Sequence, residues 1–303
     1  MKKIFLIILL AVSMSSFACD ICGSGAGGSY LGLMPSFSKK FFGLRYQHNS
    51  LLHHLGPGGS INYLTTTESY HIAELWGAMN IGSRFRVTGF IPYNFIERKN
   101  QQEHINDQGL GDITVLGYYQ LLTEGNNEHG WKQSLWIGAG AKLPTGKYNP
   151  DEKNIQQASQ NTFQLGTGSI DFSLNVMYDL QYNNTGININ AGYKLNTANQ
   201  YEYKYGNKFT ANTLFYQRIS LGGKVMLTPN AGMLFETAVK DKKTKDIRVW
   251  ETGGYSCMGT IGLEISAGRF NLGANFQKPL DQGLGEGKLK GQERAMIHFG
   301  ISI

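Results

Sequence analysis

The sequence lacks the features of several common protein classes. After residue 12 it contains no apolar run near the ~20 residues that a membrane-spanning helix needs. Only 17% of its 303 residues are charged and no basic block occurs, so nucleic-acid binding is not indicated. Three cysteines are too few for a disulfide scaffold. We find no Ser-His-Asp order, metalloprotease helix or phosphate loop, so neither catalytic residues nor a cofactor is predicted.

The beginning of the chain predicts a signal peptide at residues 1–18. Two lysines precede a nine-residue apolar run, Ile4 to Val12, which is too short to span a bilayer. Ser16 and Ala18 supply the small residues that signal peptidase requires. Cleavage after Ala18 would leave Cys19 first, followed by the glycine-rich segment 19–40 and a β-domain at 41–303.

Residues 41–303 alternate apolar and polar side chains, the pattern of strands with two different faces. Most runs exceed the ~5–6 residues of soluble strands and match the ~9–11 that a tilted transmembrane strand needs. We predict an all-β fold, a transmembrane antiparallel up-and-down β-barrel of about twelve strands. The predicted strands are 41–49, 68–81, 84–97, 110–123, 131–145, 166–182, 185–197, 206–219, 223–239, 247–266, 269–280 and 291–303.

The predicted connections alternate long and short, as in outer-membrane barrels with long outer loops and short periplasmic turns. We therefore predict a Gram-negative outer-membrane protein with both termini in the periplasm, surrounded by outer-membrane lipid. The closing strand resembles the signal of the barrel-assembly machinery, a predicted partner, but ends on Ile303 instead of an aromatic residue. A soluble sandwich or lipocalin-like barrel is the alternative.

Strand phase assigns a set of charged side chains to the barrel lumen or its rims, because a charge facing lipid near the midplane costs ~2–4 kcal/mol. These residues are either a polar path for a solute or a network of salt bridges that fills the lumen. The set comprises Arg84, Arg86, Asp112, Lys142, Asp171, Asp179, Lys194, Arg218, Lys224, Glu236, Glu264, Arg294 and His298.

The segment 19–40 carries a CxxC and several apolar residues. It is interpreted as a plug inside the barrel, with a loose periplasmic tail as the alternative. Cys19 and Cys22 could form a disulfide, bind a soft metal or, for Cys19, carry a lipid. Ser16 occupies the position where a lipobox has an aliphatic residue, which makes the lipid the weakest of the three.

Histidine and aromatic residues suggest further interpretations. His48, His53 and His54 cluster at the first outer loop, where exposure to solvent is expected rather than metal binding. Cys257 falls on the apolar face of its strand. The predicted interfacial girdles consist of Trp76, Tyr93, Trp131, Trp136, Tyr182, Trp250 and Tyr255.

Four short motifs occur in order: Ile91-Pro92-Tyr93, Gly109-Leu110-Gly111-Asp112, Lys142-Leu143-Pro144-Thr145-Gly146 and Gly166-Thr167-Gly168-Ser169. This order resembles the outer-membrane "transporter" family described as "putative MetA-pathway of phenol degradation", over roughly residues 68–303. That family is similar to channels that take up long-chain fatty acids and aromatic hydrocarbons. The motifs also have a structural interpretation, as glycine and proline punctuation at strand ends.

The leading functional hypothesis is a passive outer-membrane channel for uptake or export of a small solute. The family resemblance suggests a hydrophobic solute. A barrel with a filled lumen, acting in binding or structure, is the second hypothesis. A metal-handling barrel that uses Cys19 and Cys22 is the third.

Overall fold

The computed structural model describes residues 40–122, 130–150, 161, 163–244 and 246–303. The predicted signal peptide and nearly all of segment 19–40, with Cys19 and Cys22, lie outside the described residues. None of the helices among the described residues is long and apolar enough to cross a membrane.

Twelve antiparallel strands of the described chain form one closed barrel. The strands are β1 (Phe41–His53), β2 (Thr66–Ile81), β3 (Phe85–Lys99), β4 (His104–Leu110 and Ile113–Leu122), β5 (Trp131–Leu143), β6 (Asp171–Tyr182), β7 (Thr185–Leu195), β8 (Lys208–Gln217), β9 (Val225–Ala238), β10 (Gly254–Ala267), β11 (Phe270–Leu284) and β12 (Arg294–Ser302). Short strands at Ile219–Ser220, Lys242–Lys243, Ile247–Arg248 and Lys290–Gly291 and 3-10 turns at Pro57–Gly59 and Gly285–Gly287 complete the described elements.

Each strand pairs with its sequence neighbours, and β12 returns to β1. The closing register runs from Phe41 opposite Ser302 to His48 opposite Ala295. Closure leaves no unpaired edge, which is what lipid demands, because the bilayer core offers no hydrogen-bond partners to a backbone. The predicted all-β barrel of twelve strands is therefore confirmed.

The connections after β2, β6, β8 and β10 are short turns, and those after β1, β5, β7, β9 and β11 are longer. We call the two ends of the barrel the short-turn end and the long-loop end. Lys40 and Ile303 meet at the short-turn end, where the Ile303 amide donates to the Lys40 carbonyl at 2.9 Å.

The connection after β3 differs from the prediction. Sequence analysis placed a long loop before residue 110, but residues 104–110 pair with β3 from Tyr93 to Lys99. Only residues 100–103 turn the chain. The first segment of β4 is too polar to show alternation of apolar and polar residues, so the sequence pattern did not predict that it pairs with β3.

The outward side chains form an apolar belt, with Leu44, Phe172, Ile261 and Ile297 among the exposed large residues. The inward face of the same strands is polar and aromatic. Soluble barrels have the opposite arrangement, with polar side chains outside and apolar ones inside. Apolar side chains outside and polar ones inside are typical of a barrel surrounded by lipid. Cys257 is half-buried on the outward face of β10, as predicted.

A charge on the belt tests this assignment. Ile261 lies midway along β10 and is 60% exposed. We expect Ile261→Lys to lower the free energy of unfolding by about 2–4 kcal/mol in lipid vesicles, because the ammonium group is placed at the bilayer midplane. Urea titration measures it. Ile261→Ala, which keeps the position apolar, is the control. Equal stability of the lysine variant and the wild type would contradict a lipid-facing position.

Candidate functional site

The four sequence motifs meet around one carboxylate, that of Asp112. Its Oδ1 accepts the Gly146 amide at 3.0 Å, and its Oδ2 accepts the Thr167 amide at 2.8 Å. The Thr167 hydroxyl donates at 3.0 Å and the Lys142 ammonium at 2.7 Å. Residues that are 30 to 55 positions apart in the chain thus share one buried acceptor. We call Asp112 and these four donors the Asp112 node.

Residues of the same motifs, next to the node, repair an interruption in β4. Between Leu110 and Ile113 the regular backbone hydrogen bonds of the strand are interrupted, so the amides and carbonyls there need other partners. The Gly111 amide donates to the Pro92 carbonyl at 2.9 Å. Thr145 supplies the rest, since its hydroxyl donates to the Gly111 carbonyl at 2.7 Å and accepts the Ile113 amide at 2.9 Å. The motifs therefore do more than punctuate strand ends.

Lys142 links the node to a second carboxylate. Its ammonium lies 2.7 Å from Asp112 and 2.7 Å from Asp171, and it also contacts the Thr167 hydroxyl. Asp171 further accepts the Ser169 hydroxyl at 2.9 Å. Lys194 stands 3.8 Å from Asp171 and is the more exposed of the two lysines. All but Lys194 are buried, so the two carboxylates and two ammonium groups balance one another in the wall.

The long connection between β5 and β6 is tied inward at this level. Asn94 donates to the Leu165 carbonyl at 2.9 Å, and Leu165 packs in a buried cluster with Tyr70 and Ile96. Gly146 and Gly166 touch backbone to backbone, because a Cβ on Gly146 would lie 2.8 Å from the Gly166 Cα. The described parts of the connection thus cover part of the long-loop mouth.

Beneath this cover lies a cavity of about 100 Å³ that is partly open to solvent. The node and Lys194 lie at one end of it, and Gln164 reaches it from the long connection. Glu74 and Lys208 also line it, and further inward-facing residues contribute apolar groups, amides and a hydroxyl: Ile72, Phe90, Leu116, Met177, Asn94, Asn175, Asn190 and Thr210. A cavity with this mixed lining suits a small ligand that is apolar with a few polar groups.

A layer of packed side chains from β1 to β6 lies on the short-turn side of the cavity. Its members are Phe41, Trp76, Ala78, Phe90, Leu116, Tyr118, Trp136 and Met177. Trp76 and Trp136 are only 3% and 4% exposed, so their predicted place in the interfacial girdles was wrong. A twelve-stranded barrel is narrow enough for such rings to fill its lumen. Gly138 makes room for the layer, since a Cβ there would lie 2.5 Å from the Tyr118 ring.

The remaining aromatic predictions are divided between the wall and the loops. Tyr93, Trp131 and Tyr182 are exposed on outward-facing strand positions, and the Trp131 and Tyr182 rings lie 4.7 Å apart at the short-turn end. Tyr255 faces outward and donates to Asp281 at 3.1 Å. Trp250 lies in the loop after β9, where the Lys240 ammonium sits 4.3 Å from its ring centre.

Other predicted lumen residues do not line the cavity themselves. Glu236 is fully buried and bridges Lys208 at 2.9 Å and Arg294 at 2.7 Å, a contact that crosses the lumen from β9 to β12. Glu264 pairs with His298 at 2.8 Å. These ion pairs fill the lumen, so both sequence interpretations apply, each to a different part of the barrel.

The last predicted residues lie at the short-turn end. Asp179 accepts the Tyr216 hydroxyl at 2.9 Å, and Arg218 lies over the Tyr216 ring. Arg86 is buried and lies over the Phe41 ring at 5.4 Å. Arg84 and Lys224 are exposed in turns and do not face the lumen, because strand phase stops applying where the strand ends.

Sequence analysis missed several buried charges. The Arg45 guanidinium donates to both carboxylate oxygens of Glu74 at 2.7 Å and lies over the Trp76 ring. Glu68 is fully buried and contacts His53 at 2.9 Å and Arg98 at 2.6 Å. The inward face of β2 mixes these carboxylates with Tyr70, Ile72 and Trp76, so phase alone did not show which face was inner. The available signal was the spacing of Glu68 and Glu74, which lie six residues apart and therefore on the same face of β2.

The three clustered histidines separate in the structure. His53 is buried against Glu68, which overturns the expected exposure, while His48 faces outward beside His71. His54 lies in the first loop, where burial is the main cause that lowers the pKa of its imidazole. No group of three or more His, Cys, Asp or Glu side chains in the described ranges is arranged to hold a metal ion.

The closed barrel with an apolar belt and a polar lumen defines an outer-membrane β-barrel. The chain belongs to the family described as "putative MetA-pathway of phenol degradation", whose model matches residues 54–231. This match confirms the resemblance carried by the motifs. A search of curated proteins finds no match to the sequence.

Solved structures of outer-membrane proteins are similar to this chain, and the first of them supports the fold. An outer membrane channel from Pseudomonas putida aligns over 90% of this chain and 100% of its own, with a TM-score of 0.61 and 14% identity. The transport unit of the autotransporter AIDA-I from Escherichia coli covers 91% and 94%, with a TM-score of 0.49 and 11% identity. A FadL homologue from Pseudomonas aeruginosa covers 95% and 99%, with a TM-score of 0.41 and 10% identity.

Loss of the Asp112 carboxylate tests the node. We expect Asp112→Ala to cost about 2–6 kcal/mol of stability, because it leaves two backbone amides buried without their acceptor at about 1–3 kcal/mol each, while Lys142 keeps Asp171. Urea unfolding measures the loss, and limited proteolysis should cut the β5–β6 connection faster. Asp246→Ala, which removes an exposed partner of Lys242, is the control and should change little. Equal losses in both variants would contradict the node's role.

Proposed function

We propose that this protein is a passive outer-membrane channel for a small solute. The observation that carries the proposal is the partly open cavity of about 100 Å³ inside the barrel, whose lining mixes polar and apolar side chains. A purely structural barrel has no need for such a space, because tight packing of the lumen stabilises it more.

The charges around the cavity support a solute without strong net charge. Three carboxylates and three ammonium groups line the cavity, so the six charges sum to zero: Glu74, Asp112, Asp171, Lys142, Lys194 and Lys208. The amides of Asn175 and Asn190 can bind a hydroxyl or carbonyl, while Phe90, Leu116 and Met177 offer apolar contact. This lining fits a small, largely hydrophobic molecule with one or two polar groups.

In this proposal the short-turn end faces the periplasm, and with it both ends of the mature chain. Residues 1–18 act as the signal peptide and the barrel-assembly machinery inserts the barrel through its last strand. Segment 19–40 acts as a plug that enters from the periplasmic side. The packed layer beneath the cavity is then the barrier that the solute must pass.

Adjacent residues on β4 allow a matched test of transport. Thr114 faces the cavity, whereas Val115 faces lipid. We expect Thr114→Trp to reduce flux of small hydrophobic solutes into proteoliposomes several-fold, because the indole occupies the cavity. Val115→Trp should leave flux at the wild-type level. Equal flux in the two variants would show that solutes do not use this cavity.

Deletion of residues 19–40 tests the plug. We expect higher single-channel conductance in planar bilayers after the deletion, because the segment no longer obstructs the periplasmic side. The double variant Cys19→Ser/Cys22→Ser is the control, since it removes a disulfide or metal while keeping the segment. Unchanged conductance on deletion would exclude a plug.

The packed layer favours one second candidate, a binding barrel that conducts nothing. Trp76, Trp136 and the ion pair between Arg45 and Glu74 fill the short-turn half, as a structural lumen would. A correctly folded barrel without flux, in the full-length and the deleted form, would select this candidate.

A further inference from the structure

Two histidines face each other on the outer surface of the barrel wall. His48 of β1 lies directly opposite His71 of β2 in the antiparallel register. Their ring centres are 4.6 Å apart, and both side chains are partly exposed. At this separation one metal ion can bind a nitrogen of each ring, since metal–imidazole bonds are about 2.0–2.1 Å long.

A third side chain orients this pair. The Tyr46 hydroxyl lies 2.7 Å from the Nδ1 atom of His71. In protein metal sites a histidine ligand typically donates its second N–H to an oxygen acceptor, which fixes the ring and its tautomer. With Nδ1–H directed at Tyr46, the lone pair of the His71 Nε2 atom is available to a metal.

The pair lies where the apolar belt ends. Towards the short-turn end the outward residues are Tyr46 and Leu44, and towards the long-loop end they are Ser50 and Ser69. Next to His71, β3 carries Phe95 and then Glu97 and Lys99. This is the level at which a barrel leaves the hydrocarbon, so hydrated ions can reach the imidazoles and water can complete the coordination.

We propose that His48 and His71 form a binding site for a borderline transition-metal ion, with Tyr46 as its positioning residue. Imidazole ligands select ions such as Cu²⁺, Ni²⁺ and Zn²⁺ over Mg²⁺ and Ca²⁺, and Cu²⁺ binds tightest in this series. A bound ion joins β1 to β2 across their ladder and stabilises the wall beside the β12–β1 closure. The site is separate from the cavity.

The test uses the untagged mature protein, refolded in detergent without lipopolysaccharide and titrated with Cu²⁺ and then Zn²⁺. We expect one Cu²⁺ per chain, with an electron paramagnetic resonance spectrum that shows imidazole nitrogen, and a higher unfolding temperature with Zn²⁺. His48→Ala and His71→Ala should each weaken binding at least tenfold and abolish the rise in temperature. Tyr46→Phe should keep the stoichiometry and weaken binding about 10- to 100-fold, as loss of an orienting partner does.

Two matched variants exclude other sources of binding. His104→Ala removes an outward histidine that is paired with Glu97 and should leave metal affinity unchanged. Cys19→Ser/Cys22→Ser removes the terminal thiols and should also leave it unchanged. Retained binding in the His48→Ala/His71→Ala variant, or loss of binding only in the cysteine variant, would overturn the proposal. All variants are checked for the heat-modifiable gel mobility of a folded barrel.

Discussion

The constraint that organises this protein is the absence of hydrogen-bond partners for a backbone in lipid. It requires β12 to return to β1, and it makes any gap in the ladder costly. The gap between the two segments of β4 is therefore informative. Gly111 and Ile113 recover their partners from Pro92 and Thr145, and the nearby carboxylate of Asp112 gathers the chain around the gap. The interruption is stable only because other strands and a long connection are held against it.

The same interruption connects wall to lumen. Asp112 turns inward at the gap and lies at one end of the cavity, so the residues that repair the wall also position the polar end of the cavity. Lys142 belongs to both the wall and the cavity, because it donates to Asp112 and also lines the cavity. Towards the long loops the lumen holds the cavity and, beside it, the ion pairs of Glu236 with Lys208 and Arg294; towards the short turns it holds the packed layer. Solute specificity is expected to reside in the cavity and resistance to flow in the packed layer.

Much of this was predictable from the sequence, and the failures have physical causes. Alternation revealed the twelve strands because lipid makes every outward position apolar. It assigned Trp76 and Trp136 to the wrong face because a narrow lumen also accepts large aromatic rings. It missed Glu68 because that carboxylate shares its face with apolar residues. The motifs predicted the family correctly, but their convergence on Asp112 depends on pairings between distant strands that no local pattern encodes.

The Asp112 node also has a consequence for the order of assembly. Its donors Lys142, Gly146 and Thr167 all follow it in the chain, the last of them by 55 residues. Closing so long a loop carries an entropic cost that is recovered only when the final contact forms. Pro92 and Thr145 can repair the gap in β4 once β5 is in place, but the Asp112 node is complete only when Thr167, just before β6, has joined it. Strands β3 to β6 are consequently expected to reach their final packing together.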